Sequence, residues 1–184
     1  MSSAVGCIVL AAGSSRRFGS DKRRYTLPSG ATVLAQTLAT LQPLFSLRVL
    51  VLKPGDEDLA TLHGNDWDIV LASDAHLGMG HSLAAAMPAI TDWQGAVIAL
   101  ADMPWLQTAS ITRIRDAVAN DALVVPYYQE QRGNPVGVGR EYFGQLVGLQ
   151  GDSGARQLFQ QFSHKITRLQ LDDPGLIQDL DTPP

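Results

Sequence analysis

The sequence has little of what marks several other classes of protein. It contains one cysteine, Cys7, among 184 residues, which excludes an internal disulfide framework and fits a reducing compartment. No apolar run approaches the roughly 18–20 residues that a membrane-spanning helix requires. The first residues carry no basic segment ahead of their apolar stretch, so they do not predict a secretory signal. We therefore expect a cytoplasmic protein with no membrane partner.

An excess of positive charge is also absent. The 14 Lys and Arg residues face 18 Asp and Glu residues, for a formal net charge of −4. Such a balance argues against general binding to nucleic acid. Five of the basic residues nevertheless fall within nine positions, namely Arg16, Arg17, Lys22, Arg23 and Arg24. This segment suits a small polyanion, although a solvated basic loop explains it as well.

Short apolar runs alternate with segments of helical spacing. The predicted strands are Val5–Leu10, Leu47–Leu52, Asp68–Ala72, Ala96–Leu100, Leu123–Pro126 and Ile166–Leu171. The predicted helices are Val33–Leu41, Leu83–Ile90, Ile111–Val118, Glu141–Leu149 and Ala155–Phe162, with Ser82 and Ser110 as candidate N-caps of the second and third. The alternation predicts one α/β domain over residues 1–184, with a largely parallel sheet covered on both faces.

Ligands of such sheets bind beyond the carboxyl ends of the strands, which directs attention to residues 11–24, 73–82 and 101–105. The first of these opens with small residues, and Gly13 and Gly19 allow backbone conformations in which successive amides cradle phosphate. Arg16 and Lys22 could then neutralise a polyphosphate. The segment is neither a dinucleotide fingerprint nor a P-loop, because it lacks the glycine spacing of the one and the Gly-Lys-Ser/Thr of the other. A glycine- and serine-rich surface turn is the alternative.

Residues 10–22 fit the pattern L-A-A-G-x-S-x-R-[MF]-G-x-x-K at every specified position. This pattern is the signature of the molybdenum cofactor nucleotidyltransferases and their relatives, which the chain therefore resembles. Further segments resemble the family in the same order along the chain: Gly-Met-Gly-His-Ser-Leu at 78–83, Ala-Asp-Met-Pro at 101–104, Gly-Asn-Pro-Val at 133–136, Gly-Asp-Ser-Gly-Ala-Arg at 151–156 and Asp-Leu-Asp-Thr-Pro at 179–183.

The resemblance implies a fold and a set of site residues. The fold is a three-layer α/β/α Rossmann-like nucleotidyltransferase domain with a mainly parallel mixed sheet. Asp102, with Asp181, is expected to bind Mg²⁺, and Arg16 and Lys22 are expected to offset charge on a leaving pyrophosphate. The expected nucleotide-binding residues are Leu10, Ala11, Ala12, Gly13, Ser14, Ser15, Gly80 and Ser82. Those expected near the acceptor are Arg132, Asn134, Asp152 and Arg156.

Simpler roles remain open for several of these residues. Asp102 could form a turn, Ser82 could only cap a helix, and Asp152 and Arg156 could form an (i, i+4) ion pair. Asp181 could be a carboxylate in an exposed tail. His81 is expected to be exposed and non-catalytic.

The implied reaction is transfer of a nucleoside monophosphate from a triphosphate to an acceptor phosphate. Ala12 and residues 151–156 favour the cytidylyl branch, hence CTP and molybdenum cofactor as substrates and a molybdenum hydroxylase as a client. The alternatives are a GTP-using guanylyltransferase, a sugar- or polyol-phosphate nucleotidyltransferase and a non-catalytic cofactor-delivery protein. Arg23-Arg24-Tyr25 departs from the apolar pair usual in the family, which bears on the acceptor.

Overall fold

The structure, a computed structural model, describes residues 4–13 and 18–180, which form one twisted sheet flanked by helices. The strands are β1 (Val5–Leu10), β2 (Arg48–Leu52), β3 (Asp68–Leu71), β4 (Gly95–Leu100), β5 (Leu123–Tyr128), β6 (Gln131–Arg132), β7 (Val136–Gly139) and β8 (Ile166–Gln170). Their order is β3-β2-β1-β4-β7-β5-β6, and β8 also pairs with β5. Among the described strands, β6 and β7 alone run opposite to the other six, so the predicted mainly parallel mixed sheet is confirmed.

Helices cover both faces of the sheet. They are α1 (Val33–Leu41), α2 (Glu57–His63), α3 (Met79–Ala86), α4 (Thr108–Asp116), α5 (Phe143–Val147) and α6 (Arg156–Gln161). Side chains alternate along the strands, so Ile8 belongs to the core on the face covered by α3, α5 and α6, whereas Val9 belongs to the core on the face covered by α1, α2 and α4. The β1 strand is therefore buried on both sides, as its unbroken apolar run predicts. Cys7 is fully buried there, and burial raises the pKa of its thiol.

The predicted strands agree with the structure to within two residues at each end, but two predicted helix caps are wrong. The α3 helix begins at Met79, because Gly78 turns the chain at a φ of 126°. Ser82 therefore lies inside the helix with its side chain buried. The α4 helix begins at Thr108, so Ser110 lies in its first turn.

Among the described strands and helices, α2, β6 and β7 were not predicted, and the reason is identifiable for α2 and β7. The α2 helix buries only Leu59, so it carries no apolar periodicity. The β7 strand reads Val-Gly-Val-Gly, a poor strand sequence. Its glycines are required by packing: a Cβ at Gly137 would lie 2.4 Å from Val118, and one at Gly139 would lie 2.3 Å from the Ala119 carbonyl oxygen. No helix among residues 4–13 and 18–180 is long and apolar enough to cross a membrane.

Candidate nucleotide-binding site

A cleft of about 840 Å³ opens at the carboxyl edge of the parallel strands. Its floor is formed by residues that directly follow β1, β2 and β4, among them Ala12, Lys53 and Asp102. One wall is formed by the segment between β3 and the first turns of α3. The cleft therefore lies where ligands of open α/β sheets bind.

The loop after β1 enters the cleft as small, closely held residues. Ala11 and Ala12 are 2% and 4% exposed, and the Ala11 amide donates to the Val51 carbonyl at 2.9 Å. Gly13 is exposed, and a Cβ built there would have no neighbour within 4 Å among the described residues. Leu10, Ala11, Ala12 and Gly13 all line the cleft. Ser14, Ser15, Arg16 and Arg17 lie outside the described residues.

Lys22 and Asp102 meet at the floor of this cleft. The Lys22 Nζ donates to Oδ2 of Asp102 at 2.5 Å, and both side chains are largely but not fully buried. The other carboxylate oxygen of Asp102, Oδ1, is buried without a hydrogen-bond partner among the described residues. A buried carboxylate oxygen without a partner is costly unless something binds it. This oxygen is therefore available to a cation, which argues against a purely turn-forming role for Asp102.

Arg23, next in the chain, is tied into the scaffold. Only 4% of Arg23 is exposed, and its guanidinium donates to both oxygens of Asp56, at 2.5 and 2.8 Å, and to the Ala11 carbonyl at 2.6 Å. It also donates to Asp21. Burial alone would lower the pKa of Arg23, but these hydrogen bonds outweigh burial and raise it. The Arg23 side chain thus fastens the first loop to the start of α2.

Arg24 is likewise neutralised, although it is exposed. Its guanidinium donates to both oxygens of Asp58, at 2.5 and 2.8 Å, and this bond lowers the pKa of Asp58 to about 2. The departure from the family at Arg23-Arg24-Tyr25 therefore builds ion pairs with residues 56–58.

The segments 78–83 and 150–156 are in direct backbone contact. The Gly80 amide donates to the Gly151 carbonyl at 2.8 Å, and the Gly151 amide donates to Nδ1 of His81 at 3.3 Å. A Cβ on Gly78 would lie 2.3 Å from the Gly151 carbonyl carbon, so no side chain fits there. Gly80 thus packs against this loop, while Ser82 lines the cleft. His81 is half-buried and bonded, where an exposed side chain was expected.

The structure places one of the residues predicted near the acceptor in the lining of the cleft and the others outside it. Asp152 lines the cleft, whereas Arg132, Asn134 and Arg156 are not among the described residues that do. Asp152 and Arg156 form no ion pair with each other, so that alternative does not hold for the described chain. The Asn134 amide donates to the Leu176 carbonyl at 2.8 Å, which holds residues 133–136 against the C-terminal segment.

Among the lining residues that were not predicted as functional are two charged ones, Lys53 and Asp179. Lys53 follows β2 directly, so the rule that led to Asp102 at the end of β4 could have found it. Asp179 reaches the cleft because the Leu180 amide donates to the Asp102 carbonyl at 3.0 Å. The predicted Asp181 lies outside the described residues.

The carboxylates of the cleft suit a hard divalent cation. Asp102 and Asp179 offer oxygen donors, and magnesium is commonly held by one or two carboxylates together with phosphate oxygens and water. Within residues 4–13 and 18–180 no group of three or more metal-ligating side chains occurs. A cation here would thus depend on ligand oxygens for much of its coordination.

A parallel sheet with a phosphate-type loop, a cationic floor and a carboxylate at the end of β4 defines a nucleotidyltransferase-like α/β domain. The chain belongs to the family of MobA-like NTP transferase domains, whose model matches residues 7–167. Its fold is shared with a nucleotidyl transferase from Methanothermobacter thermautotroptrophicus, with a TM-score of 0.83 over 98% of this chain and 93% of that one at 15% identity.

Several named proteins are similar along most of the chain. The purine catabolism protein PucB of Bacillus subtilis is 28% identical, covering 96% of this chain and 91% of PucB. The molybdenum cofactor cytidylyltransferase of Escherichia coli is 26% identical, covering 98% and 93%. The bifunctional protein GlmU of Janthinobacterium is 29% identical over 72% of this chain, which spans only 29% of GlmU.

Among solved structures, Rv0371c of Mycobacterium tuberculosis superposes with a TM-score of 0.86 at 28% identity, covering 99% of this chain and 95% of that one. A manganese complex of Rv0371c has a TM-score of 0.76 at 25% identity, covering 93% and 89%.

Proposed function

We propose that this protein transfers CMP from CTP to an acceptor phosphate, with Mg²⁺, and that the acceptor is molybdenum cofactor. An oxygen of the acceptor phosphate forms a bond to the α-phosphorus, the bond from that phosphorus to the bridging oxygen breaks, and pyrophosphate leaves. The acceptor oxygen is already anionic, so no general base is required. Positioning and charge neutralisation supply the catalysis.

The Lys22–Asp102 pair is the observation that carries this proposal. A cation and a carboxylate face each other at the floor of the cleft, beside the loop after β1. Lys22 is the group that would offset charge on the triphosphate, and Asp102 is the group that would hold the metal through its unpartnered Oδ1. Bound Mg²⁺ would supply charge neutralisation at the phosphates. Asp179 or Asp181 is the candidate for a second carboxylate ligand.

Two arginines of the first loop, Arg16 and Arg17, are candidates for binding the triphosphate. Counted along the pattern L-A-A-G-x-S-x-R, the specified arginine is Arg17, whereas Arg16 falls on an unspecified position. Both residues lie outside the described chain. We therefore propose Arg17 alongside Arg16 for this role. The proposal is tested by replacing each in turn with alanine and comparing turnover.

Ala12 supports CTP over GTP. It is buried and lines the cleft, and the guanylyl branch usually carries glycine at this position. A methyl group here would reduce the room beside a purine. The full-length similarity to a cytidylyltransferase of Escherichia coli points the same way. We expect kcat/KM for CTP to exceed that for GTP by at least roughly tenfold, which corresponds to about 1.4 kcal/mol.

One incubation series tests the proposal. The protein and Mg²⁺ are mixed with each nucleoside triphosphate in turn and with molybdenum cofactor, sugar phosphates or polyol phosphates, and both pyrophosphate and the dinucleotide product are identified. We expect a cytosine dinucleotide of the cofactor. A guanine product would identify a guanylyltransferase, and a sugar or polyol product would show that the acceptor is not molybdenum cofactor. Tight cofactor binding without release of pyrophosphate would identify a delivery protein. Pull-down of a molybdenum hydroxylase tests the proposed client.

A further inference from the structure

Three arginines lie beside one another near the end of the sheet that carries β5, β6 and β8. Arg132 is on β6, Arg168 is on β8 and Arg156 begins α6. Two aromatic rings, Tyr127 of β5 and Phe159 of α6, lie among them. We call these five residues the arginine row.

Strand register places the row on one face of the sheet. Arg132 is paired with Tyr127 across β5 and β6, and Arg168 is paired with Val125 across β5 and β8. Val125 and Tyr127 are two residues apart on β5, so their side chains point to the same face, the one covered by α6. The guanidinium of Arg168 lies 3.9 Å from the centroid of the Tyr127 ring, and that of Arg132 lies 4.9 Å from the Phe159 ring.

The arginines of the row have no carboxylate partner among the described residues, and two of them, Arg132 and Arg168, lie over aromatic rings. The side chains of Arg132, Arg156 and Arg168 make no ion pair and no hydrogen bond within the part of the chain that the structure describes, and all three residues are exposed. Stacking on an aromatic face leaves the N–H edge of a guanidinium open, and this edge is the part that binds a phosphate or carboxylate in a planar fork.

The local electrostatics favour an added anion. Partial burial of the guanidinium lowers the pKa of Arg132, Tyr127 opposes this shift, and the nearby positive charge of Arg156 adds a smaller lowering. Two arginines at close range repel each other. An oxyanion bound between them would attract both, so the repulsion would be offset.

The arginine row lies next to the cleft. Asp152 lines the cleft, and Arg156 follows it by four residues, at the start of α6. A Cβ on Gly154 would lie 2.8 Å from the sulfur of Met79, another lining residue, so the loop from 151 to 155 lies against the cleft wall. Tyr127 and Arg132 also lie at the carboxyl edge, because β5 runs parallel to β4.

We infer that the arginine row binds a second oxyanionic group of the acceptor, remote from the phosphate that reacts in the cleft. The inference rests on the proposed function for the identity of the ligand, but the anion site itself does not depend on turnover. On this inference, the acceptor is a molecule that carries the reacting phosphate at one end and another oxyanionic group at the other. An acidic segment of a protein partner is the competing occupant.

The first test requires no catalysis. Inorganic phosphate is titrated into the full chain with its cleft filled by Mg²⁺ and a non-hydrolysable CTP analogue, while the side-chain Nε–H signals of arginine are followed by NMR. We expect saturable shifts for Arg132, Arg156 and Arg168, and none for Arg113, which is exposed on α4. In Arg168→Gln the affinity of the remaining pair for phosphate should fall by about tenfold. Equal shifts at Arg113 would overturn the site in favour of diffuse attraction.

The second test concerns the acceptor. In Arg132→Gln and Arg168→Gln we expect the KM for the acceptor to rise about tenfold, with kcat and the KM for CTP nearly unchanged. Arg113→Gln is the matched control and should behave like the wild type. Saturable phosphate binding with an unchanged acceptor KM would overturn the assignment to the acceptor and favour an acidic partner. If no acceptor is turned over at all, the proposed function fails and the assignment of the row to that acceptor falls with it, whereas the phosphate titration still decides whether the row binds anions.

Discussion

The basic segment at Lys22–Arg24 and the arginine row hold similar positive charge in opposite ways. Arg23 and Arg24 each donate to both oxygens of an aspartate, so their charge is neutralised within the chain. In the row, the guanidiniums of Arg132 and Arg168 lie over aromatic rings, and none of the three arginines has a carboxylate partner among the described residues. Lys22 is intermediate, since it is paired with Asp102 at the floor of an open cleft.

The comparison shows that a cluster of basic residues in the sequence does not by itself mark a binding surface. What matters is whether the folded chain supplies the counter-charge. Where the folded chain supplies the counter-charge and the pair is buried, as at Arg23 and Asp56, the arginine holds loops together. Where the described chain supplies no counter-charge, as at Arg132 and Arg168, the guanidinium remains able to bind an anion from solution.

Breaking the buried pair should have the largest effect. In Arg23→Gln, Asp56 is left buried without its cation, and removal of one partner of a buried pair costs about 3–5 kcal/mol. We expect the free energy of unfolding in urea to fall by that amount. Arg24→Gln is the control, because it breaks a solvent-exposed pair with Asp58, which contributes far less to stability than a buried pair. Similar losses in the two variants would contradict the division between structural and solvent-exposed pairs.

Substitutions at the cleft pair should separate turnover from stability. We expect Lys22→Ala and Asp102→Asn to lower kcat by roughly 100- to 1,000-fold, since each removes a charge that acts on the transferring phosphates. Thermal unfolding should change far less than in Arg23→Gln. Turnover is measured at saturating CTP across a range of Mg²⁺ concentrations.

The same Mg²⁺ series with Asp179→Asn and Asp181→Asn decides which carboxylate assists Asp102. We expect one of the two variants to need more magnesium for half-maximal turnover. If neither does, Asp102 is the only carboxylate ligand from these segments.

A matched substitution in the arginine row should cost little stability. Arg168→Gln removes a cation–π contact with Tyr127 at an exposed position, which is worth about 0.5–1 kcal/mol. We expect the free energy of unfolding to fall by no more than this. A loss as large as that in Arg23→Gln would mean that the row is structural, against its assignment as a binding surface.

Low pH should destabilise the folded protein, because protonation of Asp21 weakens its interaction with Arg23. Burial alone would raise the pKa of Asp21, but its hydrogen bonds and attraction to Arg23 outweigh burial and lower the pKa below its usual range. A carboxylate with a depressed pKa in the folded state contributes stability that is complete above its unfolded pKa and is lost as the pH falls through the folded value. We expect the free energy of unfolding to decline below about pH 4, with a smaller decline in Arg23→Gln. Equal slopes in both proteins would show that Asp21 contributes nothing.

Local patterns in the sequence were enough for the fold class and for the position of the cleft. The strands β1 and β4 are continuous apolar runs, and their carboxyl ends predicted that residues 11–24 and 101–105 would meet at one edge. The contact of Lys22 with Asp102 agrees with that prediction. The family resemblance agrees with the matched family model over residues 7–167.

Only the tertiary structure decided which charges are neutralised and which glycines are packed. Arg23 and Asp56 are 33 positions apart, and no local pattern specifies that their side chains meet. Gly78 and Gly80 are required by the backbone of residues 150–152, some 70 positions away. The stacking of Arg168 on Tyr127 likewise depends on the pairing of β8 with β5. Periodicity along a chain encodes which face of a strand or helix is buried, whereas these contacts depend on which distant segments the completed sheet brings together.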